Sequence, residues 1–249
     1  MGGGARTVVG MTRADVLREL VVNGRDYGSE RLSGLAAEFD LLMSDVMVIA
    51  GHQVPARLLP PVRESEVLRE FAYRVTYCDH AQLASLNDFV LSLASTTAVP
   101  APWTPQDVRA APSNVDRFGG ILDGLMRNRG FGIREMPFAG LSMSTIRGML
   151  HGRWHNLQQL KAMAGSLGWR FEDLAAVAGE PLGAFDDCSA VCRHMGSVYV
   201  AAIPLTTAQL VQAAAEADRL SERTDHGAWR PVAVQANDCP DGGGRNRGV

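Results

Sequence analysis

Residues Gly132 to Gly152 read GIREMPFAGLSMSTIRGMLHG, and no other stretch constrains its surroundings as much. The spacing predicts a short helix ending at Phe138, a tight turn at Ala139-Gly140-Leu141, and a second helix opened by Ser142. A three- or four-residue turn between crossed helices needs one residue at positive φ, and Gly140 can supply it without steric cost. Ser142 is placed to accept a hydrogen bond from the amide of Thr145, one of the donors left without a partner at a helix start. Beyond this cap Ile146, Met149 and Leu150 share one side of the helix, while Met143, Ser144, Arg147 and His151 share the other. The first side is suited to packing; the second is left to touch something else.

A helix with a small, hydroxyl-bearing, singly basic outer face, held steeply by a glycine turn, suits the DNA major groove. From Asn114 to about Pro181 the chain resembles the helix-turn-helix domain of lambda-repressor and Cro type, often called the Xre family. Ala139-Gly140-Leu141-Ser142, Ser144-Thr145-Ile146 and Leu150-His151-Gly152 carry the resemblance. The chain departs from the family at Met136, where alanine is usual, and at Pro137, which interrupts the helix before the turn and lacks an amide donor. The resemblance implies a five-helix domain, completed by helices over Leu157 to Leu167 and Glu172 to Ala178. It also implies a sequence-specific DNA-binding transcriptional regulator of a bacterium. Ser142, Ser144 and Thr145 would then meet phosphates or base edges, Met143 a thymine methyl and Arg147 a guanine. Arg153 and His155, just past the helix, would neutralise phosphate, and Arg134 joins them from the segment before the turn.

Charge bears on this expectation. Among 24 basic residues only Lys161 is lysine, and the net charge is −3, so any surface for nucleic acid has to be local. It is local here: Arg117, Arg127, Arg129, Arg134, Arg147 and Arg153 face only Asp123 and Glu135 between Arg117 and His155. The arginine bias, with abundant alanine and glycine, fits a G+C-rich bacterial genome. A hydrophobic fraction of 46% and a charged fraction of 20% are those of a globular protein. No apolar run is long enough for a membrane span, and Met1-Gly2-Gly3-Gly4 lacks the apolar stretch of a signal peptide, so a cytoplasmic protein without a membrane partner is expected.

The stretch also has a diverged copy. Gly10-Met11-Thr12-Arg13-Ala14-Asp15-Val16-Leu17-Arg18-Glu19-Leu20 aligns with Gly140 to Leu150, matching turn glycine, hydroxyl cap and inner apolar positions. Leu32, Leu35, Ala36 and Phe39 then align with Leu160, Met163, Ala164 and Leu167, and Asp45-Val46 with Asp173-Leu174. Both copies end in a helix beginning Ala-Gln-Leu, opened by Asp79 with Gln82 and by Thr206 with Gln209 as capping boxes. The chain therefore reads as a diverged tandem repeat.

The expected fold is mainly α, with two helical domains. Residues 1–95 form a degenerate helix-turn-helix-like repeat with trailing helices, and 96–113, with four prolines, a linker. Residues 114–236 form the DNA-binding repeat with its trailing helix, and 237–249 a disordered tail. Within the second domain Ser113 with Asp116 opens a helix carrying Phe118, Ile121, Leu122 and Leu125. Gly196 to Ile203 alternates well enough for a short strand, although a helix is also compatible.

In the first copy Leu17 occupies the place of Arg147 and Ala14 that of Ser144, an apolar face suited to protein. The N-terminal half is accordingly assigned to homodimer formation and the second to double-stranded DNA. The alternative is a helix-turn-helix-fold interaction module that binds protein and no DNA. Enzyme chemistry is not expected: no phosphate loop, nucleophile elbow or paired-carboxylate cleft is visible. Cys188-x3-Cys192-x-His194 is the nearest approach to a metal motif, with Cys78 and His80 in the other half, and neither metal nor cofactor is expected. Limited proteolysis should cut first between Thr96 and Ser113; early cleavage inside Leu157 to Ala178 instead would contradict the division.

Overall fold

A computed structural model describes residues 11–95, 117–136, 140–153, 157–181 and 190–221, the side chains of 190–193 excepted. The described residues form α-helices and two short 3-10 turns, with no strand among them. In chain order the helices are α1 (Arg13–Asn23), α2 (Ser29–Phe39), α3 (Met43–Ile49), α4 (Ser65–Val75), α5 (His80–Ser95) and α6 (Arg117–Arg127). They continue with α7 (Met143–Leu150), α8 (Leu157–Leu167), α9 (Phe171–Ala178), α10 (Ala190–Ala201) and α11 (Thr207–Ser221). The expected linker and C-terminal tail, and the Ser113 cap, lie outside the described residues.

The short strand considered for Gly196 to Ile203 is not formed, because α10 runs to Ala201. Met195, Val198, Tyr199 and Ala202 are buried, at the i, i+3, i+4 and i+7 positions of one helical face. Gly196 makes room for α10 to cross α8: a β-carbon there would overlap the carbonyl oxygen of Gly165 and the backbone of Gly168. Tyr199 reaches across to donate to the carbonyl of Ala72 at 3.1 Å, and its ring stands edge-on to Phe71 and Phe131.

The two halves share one core. Helices α4 and α5 pack on α10 and α11, α1 packs on α9, and α3 packs on α6, so buried residues from α1 through α11 form a single cluster. The capping boxes take part in this joint. Asp79 and Gln82 bond each other's amides at 2.8 and 2.9 Å, and Gln82 Nε2 donates onward to the carbonyl of Leu220 at 2.8 Å. Thr206 and Gln209 repeat the arrangement, and Gln209 Nε2 donates to the carbonyl of Leu93 at 2.9 Å. Each helix of the α5–α11 pair thus has its last turn bonded by the first turn of the other, satisfying carbonyls that a helix end leaves open.

Two ion pairs tie the halves more deeply. Asp45, in the first turn of α3, is 1% exposed, and Arg129, beyond α6, is 2% exposed. Arg129 donates to the two Asp45 oxygens at 3.0 and 2.8 Å, and Asn128 Nδ2 and Trp169 Nε1 add bonds of 2.7 and 2.9 Å. The remaining guanidinium donors reach the carbonyls of Leu167 at 2.7 Å and Leu125 at 2.8 Å. The second pair joins Arg13 of α1 to Asp173 in the first turn of α9, at 2.8 and 2.6 Å, and Arg13 also donates to the carbonyl of Phe39 at 2.8 Å. A third arginine, Arg63, is half-buried and donates to carbonyls, Ala202 at 3.0 Å and Arg129 at 2.8 Å. Burial draws its guanidinium down to about 10, which still leaves it charged at neutral pH.

A buried ion pair stripped of one partner leaves an uncompensated charge, whereas removal of both does not. Asp45→Ala and Arg129→Met should each lower stability in urea unfolding by about 3–5 kcal/mol. The double substitution should cost clearly less than the sum. Additive losses would show that the two side chains act independently.

Candidate nucleic-acid interface

From Gly140 onward the stretch Gly132 to Gly152 folds as expected, and it departs from expectation at residues 133–135. Gly140 has φ +75°, and Ser142 Oγ accepts from the amide of Thr145 at 3.1 Å. Ser142 Oγ also lies 2.7 Å from Ser144 Oγ and 2.9 Å from Thr145 Oγ1, so three hydroxyls gather at the start of α7. Ile146, Met149 and Leu150 are buried, and α7 lies on α6. Gly152 takes φ +68°, and the amide of Arg153 returns to the carbonyl of Gly148 at 2.9 Å, fixing where the chain leaves the helix.

Where a short helix was expected, Ile133, Arg134 and Glu135 make a turn and Met136 takes a 3-10 conformation, while residues 137–139 lie outside the described set. The turn has a polar cause. Glu135 is buried, its carboxylate accepting from the amide of Gly132 at 2.8 Å and from the hydroxyl of Ser65. That carboxylate closes the turn at residues 132–135, and Pro137 follows with no amide to offer. Met136, found where the family has alanine, is buried in the core.

Of the residues singled out for DNA, Ser142, Met143, Ser144, Arg147 and Arg153 are exposed, as is Arg134 in the preceding turn. Thr145 is half-buried and engaged in the cap; His155 lies outside the described residues. Met143 is 51% exposed, unusual for so large an apolar side chain. Among the described residues Arg134, Arg147 and Arg153 make no ion pair, in contrast to Arg129 and Arg13. Between Asp123 and Glu172 the sequence holds one acidic residue, the buried Glu135, against Arg127, Arg129, Arg134, Arg147, Arg153, Lys161 and Arg170. The α7 surface therefore carries positive charge with no carboxylate of its own segment to neutralise it.

The equivalent face of α1 is not available. Leu17, aligned with Arg147, is fully buried, and α1 packs on α9 of the same chain. The apolar face expected to seek a second copy is met by this chain's own second half, so the observation behind homodimer formation through residues 1–95 is removed. Sequence reading also missed the Asp45 cluster. Its one signal was the alignment of Asp45 with Asp173, two acids at matching places in otherwise apolar surroundings.

No protein-family model matches the chain, and no characterised protein or solved structure matches it significantly. Two substitutions probe how the α7 surface is held. A β-carbon at Gly140 would meet nothing within 4 Å, so Gly140→Ala should cost about 1–2 kcal/mol through its left-handed backbone alone. Ser142→Ala should cost about 1 kcal/mol by removing the cap. Urea midpoints report both, and an unchanged midpoint for Gly140→Ala would remove the turn from the account.

Proposed function

We propose that the chain is a bacterial transcriptional regulator that binds double-stranded DNA sequence-specifically through α7. In this reading it is a diverged tandem repeat of a helix-turn-helix unit, and it acts in the cytoplasm. The supporting observation is the unpaired basic and hydroxyl surface at α7, in a segment whose one carboxylate is buried. Ser142, Ser144 and the free amides at the helix start suit phosphate oxygens, since a helix N-terminus favours an anion. Met143 offers its thioether side chain to a thymine methyl, and Arg147, the one charged residue of α7, presents a planar fork to guanine. Arg153 and Arg134, outside the helix at either end, suit the backbone.

A second reading has its own observation. Residues 133–135, before the glycine turn, form a turn and not an α-helix, and a helix that enters the major groove is normally steadied by a partner helix crossing the backbone. That favours an interaction module whose α7 face meets an acidic protein surface. DNA binding separates the two, since counterion release makes it steeply salt-dependent.

Arg147→Ala should flatten base preference at one or two positions, by about 1–3 kcal/mol, with non-specific affinity nearly unchanged. Arg153→Ala should weaken all sequences alike and reduce the salt slope by about one unit. Neither side chain is in the core, so melting temperatures should hold. If both variants bind selected DNA like the parent, the DNA reading fails.

A further inference from the structure

We propose that the face of α7 reads a pyrimidine C5-methyl group beside a guanine, so that binding turns on a single methyl in the major groove; this rests on the DNA-binding reading above. Most of the residues that α7 turns outward have little left to give a base. The Ser142 hydroxyl has one hydrogen and two lone pairs. The amide of Thr145 at 3.1 Å, the Ser144 hydroxyl at 2.7 Å and the Thr145 hydroxyl at 2.9 Å take all three. Thr145 is half-buried, Ser144 is short and bonded to Ser142, and Gly148 has no side chain. His151 stands at the C-terminal cap, away from the N-terminal residues with which a reading helix meets base edges. Two long side chains remain. Met143 is 51% exposed, and Arg147 is exposed, with no hydrogen bond or ion pair among the described residues.

These two are four residues apart, which puts them on one face with β-carbons about 5–6 Å from each other. Helical side chains lean toward the N-terminus, so the Arg147 guanidinium is directed along the turn that Met143 begins. The pair is one unit with an ionic end and an apolar end. Its guanidinium matches O6 and N7 of guanine, the commonest specific contact in the major groove. Its thioether has no donor and only a weak acceptor, so against the polar edge of adenine, cytosine or a second guanine it would displace water and return nothing. The C5-methyl is the one apolar feature of that groove. In modular reading helices, side chains about one turn apart reach successive bases, so the methyl and the guanine are neighbours.

Thymine carries this methyl, and 5-methylcytosine carries the same group on the same carbon. Neither Met143 nor Arg147 addresses the exocyclic group at C4 that distinguishes the two bases. The chemistry read is therefore the methyl itself, and a cytosine beside the guanine gives α7 no hold until it is methylated.

The test uses the full chain. Random-sequence duplexes retained by the parent give the motif, and the base whose preference Arg147→Ala loses marks the guanine. At the neighbouring pyrimidine, duplexes are made with thymine, uracil, 5-methylcytosine and cytosine, and affinities are measured by fluorescence anisotropy at one salt concentration. Burying one methyl is worth about a 3- to 10-fold change, so uracil should bind more weakly than thymine by that factor, and cytosine more weakly than 5-methylcytosine. Met143→Gln keeps the length of the side chain and removes its apolar end, so it should bind all four alike; Met143 is outside the core, and the melting temperature should hold. A gain with thymine and none with 5-methylcytosine would confine the methyl contact to thymine. Equal affinity for thymine and uracil in the parent, a motif with no pyrimidine beside the guanine, or a thymine preference that survives Met143→Gln would overturn the methyl reading and leave DNA binding standing. Absence of any salt-dependent retention would overturn both.

Discussion

The carboxylate of Asp45 is where the separate pieces of this chain are made to agree. Removing a carboxylate from water costs several kcal/mol unless its lone pairs are met, and here four donors meet them. Those donors come from the end of α6 and from the residue between α8 and α9, while Asp45 itself opens α3. Arg129 carries the connection further, to the last residue of α8. Arg63 then bonds the carbonyl of Arg129 and brings in the approach to α4 and the end of α10. Glycine is favoured at 130 by its φ of +75°, and a β-carbon there would also crowd the Arg63 guanidinium. A network of this kind fixes geometry more than it adds stability, since its members tolerate one arrangement and a hydrophobic replacement would tolerate several.

The two acids at the starts of α3 and α9 play matching parts with unmatched partners. Each sits in the first turn of its helix, where the macrodipole favours negative charge, and each takes a bidentate arginine. One arginine comes from α1 and the other from beyond α6. Matching acids are thus served from different elements. Helix α7 carries neither arginine, and its small hydroxyl side chains and one guanidinium point outward.

Local patterns were legible in the sequence, and long-range polar pairing was not. The caps at Ser142, Asp79 and Thr206, the glycine turn at 140 and the buried stripes of α4, α6 and α7 each depend on residues within a turn or two, so spacing reveals them. The turn at residues 133–135, where helix was expected, depends on Glu135 finding Ser65, 70 residues away, and no periodicity announces that. Likewise Leu17 looked like an exposed face because its cover, α9, follows more than 150 positions later. Alternation at Gly196 to Ile203 misled for a related reason: Val198 and Val200 two apart suit a strand, but burial against α8 and α5 selects the helical face. For the candidate interface, helical geometry put Met143, Ser144, Arg147 and His151 on the outer side of α7, and all four are exposed. Nothing local could show that the aligned face of α1 would be closed.

The exchanged glutamine bonds bear on how the chain is made. Gln82 needs the carbonyl of Leu220, and Gln209 that of Leu93, so neither terminal helix is finished until both are present. During synthesis the first five helices emerge with the surfaces meant for α9, α10 and α11 uncovered, and they wait for more than a hundred further residues before the last of these arrives. Contacts so distant in sequence slow folding and prolong the exposure of apolar surface. A message interrupted before α11 would yield a polypeptide in which the faces of α4 and α5 that α11 covers stay open.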